Sequence, residues 1–113
     1  MILIAEDDAL QRLNLEAVLV EAGFTVVATA DGDEALGVLQ TRSDILVLIS
    51  DVQMPGSLNG IELMWVVRDR WPPVKIILTS GNAKRDGLPD DVVLFVKPYI
   101  ERELLSKLRL LLA

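Results

Sequence analysis

The sequence predicts an α/β fold built on one parallel sheet, and three observations predict it. Short apolar runs rich in β-branched residues alternate with helix-patterned segments from end to end. The runs lack the strict in–out alternation of a half-exposed strand, which suits strands buried on both faces. Capping residues, Gly and Pro stand at most of the junctions between them.

Taken in order, the first run is Ile2–Ala5. Asp8 can then cap a helix whose apolar positions Leu10, Leu13, Ala17 and Val20 recur at helical spacing, and Gly23 can end it. Thr25–Ala30 is the second strand, followed by a shorter, weaker helix over Asp33–Gln40 with Gly37 inside it. Ile45–Ser50 is the third strand. Asn59 followed by Glu62 reads as a capping box opening a helix over Gly60–Trp71, which Pro72 and Pro73 stop. Val74–Thr79 and Val92–Val96 are the fourth and fifth strands. Glu101–Leu112 closes the chain with Leu104, Leu105, Leu108, Leu111 and Leu112 on a broad apolar face.

The segment Gly81–Asp91 breaks the pattern, because it holds Gly81, Gly87 and Pro89. Relative to Ala, Gly costs a helix interior ~1 kcal/mol and Pro ~3 kcal/mol. A loop, or at most one or two turns, is expected there.

A chain of 113 residues is long enough for one well-buried core, so 1–113 reads as a single domain. The net charge of −6, with scattered basic residues, argues against a nucleic-acid surface. With neither Cys nor His there is no disulfide, thiolate nucleophile, His-based triad, Cys/His zinc site or phosphohistidine donor. Absence of cysteine fits a cytoplasmic location. Ile2–Ala5 runs straight into Glu6, Asp7 and Asp8, so it is neither a signal peptide nor a membrane span, and Leu110–Ala113 is too short an apolar tail to be an anchor.

The polar residues at the strand ends carry the chemistry. Glu6, Asp7 and Asp8 follow the first strand and Asp51 the third; Thr79 and Ser80 end the fourth, and Lys97 ends the fifth. In an open parallel sheet the carboxyl ends of the strands share one edge, where ligands bind. Asp7, Asp51, Thr79 and Lys97 are therefore expected together. Two unit charges ~5 Å apart repel by roughly 3 kcal/mol at an effective dielectric of ~20. A hard divalent cation relieves such repulsion, and oxygen-only ligands select Mg²⁺, Mn²⁺ or Ca²⁺. One or two carboxylates with places left for water and phosphate oxygens is the composition Mg²⁺ prefers. A phosphoryl group moving onto Asp51 would need compensating positive charge, to which Lys97 can contribute while Thr79 donates a hydrogen bond. Singly, each residue has a plain alternative: Asp8 a helix cap, Asp7 a solvated acid, Asp51 a turn acid, Lys97 a surface lysine.

Ile2–Asp8, Ser50–Gly56, Ile77–Gly81 and Val96–Tyr99 resemble the four signature blocks of response-regulator receiver domains, in the family's order. The resemblance implies a flavodoxin-like (βα)5 doubly wound parallel five-stranded sheet of order 2-1-3-4-5, with helix four shortened or absent. It implies Asp51 as phosphoacceptor, Asp7 as the direct Mg²⁺ ligand and Glu6 as the acid holding Mg²⁺ through water. The backbone carbonyl of Gln53 would be a further ligand. Thr79 and Lys97 would contact the phosphoryl group, and the Lys97–Pro98 bond would be cis. The implied partners are a sensor histidine kinase or histidine phosphotransfer protein upstream and a protein partner or fused effector downstream.

Two features depart from the family pattern. Leu94, with Phe95 beside it, stands where an inward-turning aromatic switch residue is usual. The stretch from Thr79 to Lys97 is also short and rich in Gly and Pro. Other classes fit less well. A flavodoxin-like ligand binder is disfavoured because the chain has no Gly-rich phosphate loop and few aromatics to stack on a ring. A degenerate receiver used only for protein interaction would not need the complete acid, hydroxyl and lysine set. An independent enzyme would need a substrate pocket that nothing in the sequence marks.

Overall fold

The computed structural model describes residues 1–82 and 84–113. Five strands form one parallel sheet: β1 (Ile2–Ala5), β2 (Val26–Thr29), β3 (Val47–Asp51), β4 (Lys75–Ser80) and β5 (Val93–Val96). Their spatial order is β2-β1-β3-β4-β5. Among the described residues four helices accompany them: α1 (Ala9–Glu21), α2 (Gly32–Thr41), α3 (Gly60–Arg70) and α4 (Glu101–Leu112). The α/β class and the strand order are as expected, and each strand lies within one or two residues of its predicted run.

Burial on both faces explains the strand composition. Every residue of β1 is buried, as are all of β3 but Asp51 and all of β4 but Lys75. Successive side chains point to opposite faces. Leu3, Ala5, Leu48, Ile76 and Leu78 meet Ala35 and Leu39 of α2 and Leu63, Met64 and Val67 of α3. Ile2, Ile4, Val47, Ile49 and Ile77 meet Leu19 of α1 and Leu104 and Leu108 of α4.

The helix boundaries follow local chemistry. Asp8 Oδ1 accepts from the Gln11 backbone N–H at 2.9 Å and caps α1. Gly23, at φ +97°, ends it in the left-handed conformation that a side chain disfavours. The second helix is longer than predicted, because Asp31 caps it by accepting from the Glu34 N–H at 2.9 Å. Asn59 and Glu62 form the expected capping box at the start of α3.

The apolar positions whose spacing marks α1 are not the ones it buries. Leu10 is 67% exposed, Leu13 60% and Val20 55%, and Ala17 is exposed as well. The buried residue is Leu19, with Leu15 packed partly beside it on the sheet. This helix is apolar on two sides, so periodicity finds it without telling which side faces inward. For α4 the expected face holds: Leu104 and Leu108 are buried, and Leu105, Leu111 and Leu112 pack partly against the same cluster.

Among the described residues no helix lies between β4 and β5. Within the segment Gly81–Asp91, where a loop is expected, Ala83 lies outside the described residues. The rest is tied down by specific contacts. The Arg85 guanidinium donates to the carbonyls of Val92 at 2.7 Å and Pro89 at 2.9 Å. Asp91 pairs with Arg68 of α3 at 2.7 Å. Leu88 packs against the α2–α3 core.

Candidate functional site

The sheet register brings the site residues to one edge. Ala5 pairs with Ser50, Asp51 with Thr79, and Ser80 with Val96. Glu6, Asp51, Thr79 and Lys97 consequently stand at the ends of four adjacent strands, and all line one cavity of about 400 Å³. Ile4, Leu15, Val18 and Ile49 form part of its apolar wall, and Gln11 and Tyr99 also line it. The Lys97–Pro98 peptide is cis, as the resemblance implied. The Lys97 backbone N–H donates to the Ser80 carbonyl at 2.7 Å, which carries the sheet's hydrogen bonding one residue past β5.

The acids converge. Ligand oxygens of Glu6, Asp7 and Asp51 lie within 4.8 Å of one another. Glu6 is buried, Asp51 is intermediate and Asp7 is exposed. The Lys97 ammonium donates to Glu6 Oε1 at 3.0 Å and lies 3.4 Å from Asp51 Oδ2. Burial, with the Asp51 charge behind it, raises the Glu6 carboxyl above the ordinary range despite the Lys97 bond. Burial also works against the charge on Lys97, but the hydrogen bond and charge of Glu6, with Asp51 adding to them, outweigh it and raise its pKa. The raised Lys97 pKa keeps its charge beside Asp51.

The donor set fits a hard divalent cation: three carboxylates close together, with neither nitrogen from His nor sulfur among them. Gln53 stands beside this cluster. Its backbone N–H donates to Asp51 Oδ1 at 3.3 Å, and its side chain donates to Asn82 Oδ1 at 3.1 Å, tying the β3–α3 loop to the end of β4.

The expected switch residues fall on opposite faces of β5. Leu94 packs against the α2–α3 core, as does Leu88 of the loop. Phe95 packs on the α1–α4 side, its ring 5.6 Å from that of Tyr99, and is the register partner of Thr79.

Two residues at the site carry roles that their local sequence does not signal. Gln11 accepts the shortest side-chain bond that Lys97 makes, 2.7 Å to Oε1. The two residues are 86 positions apart, and a glutamine in a helix's first turn carries no sign of such a contact. Gly60 opens α3 directly over the end of β3. A Cβ there would overlap the Asp51 carbonyl oxygen and lie 2.7 Å from the Val52 Cα. The capping box was legible; the need for a glycine inside it was not.

An open five-stranded parallel sheet with an acid cluster and a lysine at its carboxyl edge defines a doubly wound α/β domain with a charged site at that edge. The model of the response regulator receiver domain family matches residues 2–109, and the chain belongs to that family. It is 34% identical over 117 residues to the transcriptional regulatory protein CpxR of Escherichia coli, covering 98% of this chain and 48% of CpxR. It is 34% identical over 113 residues to the response regulator protein FleR of Pseudomonas aeruginosa, covering 93% of this chain and 23% of FleR. The chain thus spans half or less of the length of these curated relatives. Among solved structures, it resembles a response regulator receiver protein from Sinorhizobium medicae with a TM-score of 0.88 and 30% identity, over 98% of this chain and 92% of that one. It also resembles the chemotaxis response regulator CheY4 of Vibrio cholerae, at TM-score 0.85 and 27% identity over 97% and 96%.

Proposed function

We propose that this receiver domain accepts a phosphoryl group on Asp51 from a protein phosphohistidine, in a Mg²⁺-dependent reaction, and passes the change to an output partner. The observation that carries this reading is the placement of the Asp51 carboxylate, 3.4 Å from the Lys97 ammonium and within the Glu6–Asp7–Asp51 oxygen cluster. An Asp51 oxygen attacks phosphorus, the P–N bond breaks, and its electron pair leaves with the donor imidazole. The product is an acyl phosphate. Lys97 offsets the charge on the phosphoryl oxygens, and the Thr79 hydroxyl donates to one of them. Glu6, Asp7, Asp51 and the Gln53 backbone carbonyl would hold Mg²⁺, which when bound supplies further positive charge beside the acceptor. The chain is consumed stoichiometrically by this step rather than turning over an outside substrate.

The exposed stripe Leu10, Leu13, Ala17 and Val20 starts two residues from Asp8 at the site's rim. It supplies apolar surface that the phosphodonor, a sensor histidine kinase or phosphotransfer protein, can grip in the cytoplasm. On the output side, Leu94 and Leu88 share one core cluster, so movement at Thr79 and β5 would reach the β4–β5 loop. The partner or fused effector would read that region.

Incubation with acetyl phosphate and Mg²⁺ should give one base-labile acyl phosphate by mass spectrometry, absent from Asp51→Asn. Undiminished labelling of that variant would overturn the assignment. Millimolar Mg²⁺ should raise Tm, since a ligand bound only by the native state adds RT ln(1 + [L]/Kd), and Asp7→Ala should blunt the rise. An equal rise in that variant would place the ion elsewhere.

A further inference from the structure

Gln11 is placed at the site by both backbone and side chain. Its N–H is held by the Asp8 cap at 2.9 Å, which fixes the residue in the first turn of α1. Its Oε1 accepts from Lys97 Nζ at 2.7 Å, a shorter contact than Lys97 makes to Glu6 at 3.0 Å or to Asp51 at 3.4 Å. Gln11 also lines the cavity that Asp51, Thr79 and Lys97 share.

We infer that Gln11 is a positioning residue for Lys97. An ammonium has three N–H donors and turns freely on a flexible stem. Bonds to Glu6 and Gln11 occupy two of them and leave the third facing Asp51. The acceptor's neutrality matters. A carboxylate at position 11 would hold the lysine but cancel its charge, whereas an amide oxygen holds it and leaves the charge available to the phosphoryl group. Engagement of Glu6 with a cation would weaken one tether and leave Gln11 as the remaining one. This inference rests on the phosphoacceptor reading of Asp51.

The test is a double-mutant cycle on the rate of labelling by acetyl phosphate at saturating Mg²⁺, followed for hours so that slow variants are measured. The phosphoryl group passes to Asp51 and acetate leaves. Leu and Gln have near-equal helix propensity, so Gln11→Leu should leave α1 folded. The rate should fall roughly tenfold, in line with loss of one hydrogen bond to a charged group. In a Lys97→Met background the same change should have almost no further effect, because Gln11 acts through the lysine. Gln11→Glu should also be slow, although it restores an acceptor. A wild-type rate in Gln11→Leu, or an equal loss in both backgrounds, would overturn the inference. Failure of the wild type itself to label would instead overturn the reading of Asp51, and the inference with it.

Discussion

Helices α1 and α4 cover the same face of the sheet, and they were not equally legible. In α4 the leucines at 104, 105, 108, 111 and 112 form one broad face, and that face is the one turned inward. In α1 there are two apolar stripes. The more regular one, Leu10, Leu13, Ala17 and Val20, faces solvent, while Leu15 and Leu19 pack on the sheet. A helix with a single apolar face declares its orientation, because only one rotation buries it. A helix with two does not, and the spare face lies open beside the site, available for another purpose.

The comparison breaks most decisively at the buried leucines. Leu104→Ala or Leu108→Ala should cost roughly 2–5 kcal/mol, the range for emptying a packed core position. Leu10→Ala and Leu13→Ala should stay within about 0.5 kcal/mol. Denaturant midpoints distinguish the two classes. A loss above about 1.5 kcal/mol at Leu13, three times the surface range, would mean that the outer stripe is covered in the folded chain.

Lys97 joins the two helices, since it leads into α4 yet bonds Glu6 and Gln11 at the start of α1. Lys97→Met should cost about 1–3 kcal/mol near neutral pH by stranding the buried Glu6 carboxylate. The sign with pH comes from the raised pKa of each partner. Glu6, raised by burial and further raised without its lysine, favours the fold when protonated, so the variant loses stability as pH rises from the usual carboxylate range through the folded value. In the wild type, the raised Lys97 pKa contributes stability present through neutral pH and lost as pH rises past that value. Tm measured from acid to alkaline pH should therefore show a deficit that is small in acid, largest near neutrality and smaller again above the lysine range. A constant deficit would refute the coupling.

The β4–β5 connection offers a milder contrast, because it replaces helix packing with hydrogen bonds. Arg85→Ala removes two bonds to carbonyls and should cost on the order of 1–2 kcal/mol, with faster amide exchange over 84–92. Exchange confined to wild-type rates would show that Leu88 and Asp91 hold the loop without it. In the wild type, phosphorylation of Asp51 should slow exchange over 84–91, and unchanged protection would direct the output elsewhere.

The smallest effect on the fold should come from the outer stripe of α1. Leu10→Ser with Leu13→Ser should leave stability and acetyl phosphate labelling nearly unchanged, yet slow transfer from a phosphorylated histidine kinase. Equal transfer rates would remove that stripe from the docking surface.

The strand runs, most helix boundaries and the acids, hydroxyl and lysine of the site were all legible in the amino-acid order. Those features are local: β-branched runs bury both faces, Asp8 and Asn59 cap the helices that begin beside them, and Gly87 with Pro89 forbids a long helix. Knowing that parallel strands end on one edge was enough to expect Asp7, Asp51, Thr79 and Lys97 together from sequence, and the structure adds the buried Glu6 as the acid that Lys97 bonds. Three further features needed long-range packing: which side of α1 turns inward, the lack of a side chain at Gly60 against Asp51, and the meeting of Gln11 with Lys97. Each of these depends on where a distant part of the chain comes to rest. Periodicity and capping report only the few residues around a position, whereas those contacts exist only once the sheet has brought separate stretches of chain to the same edge.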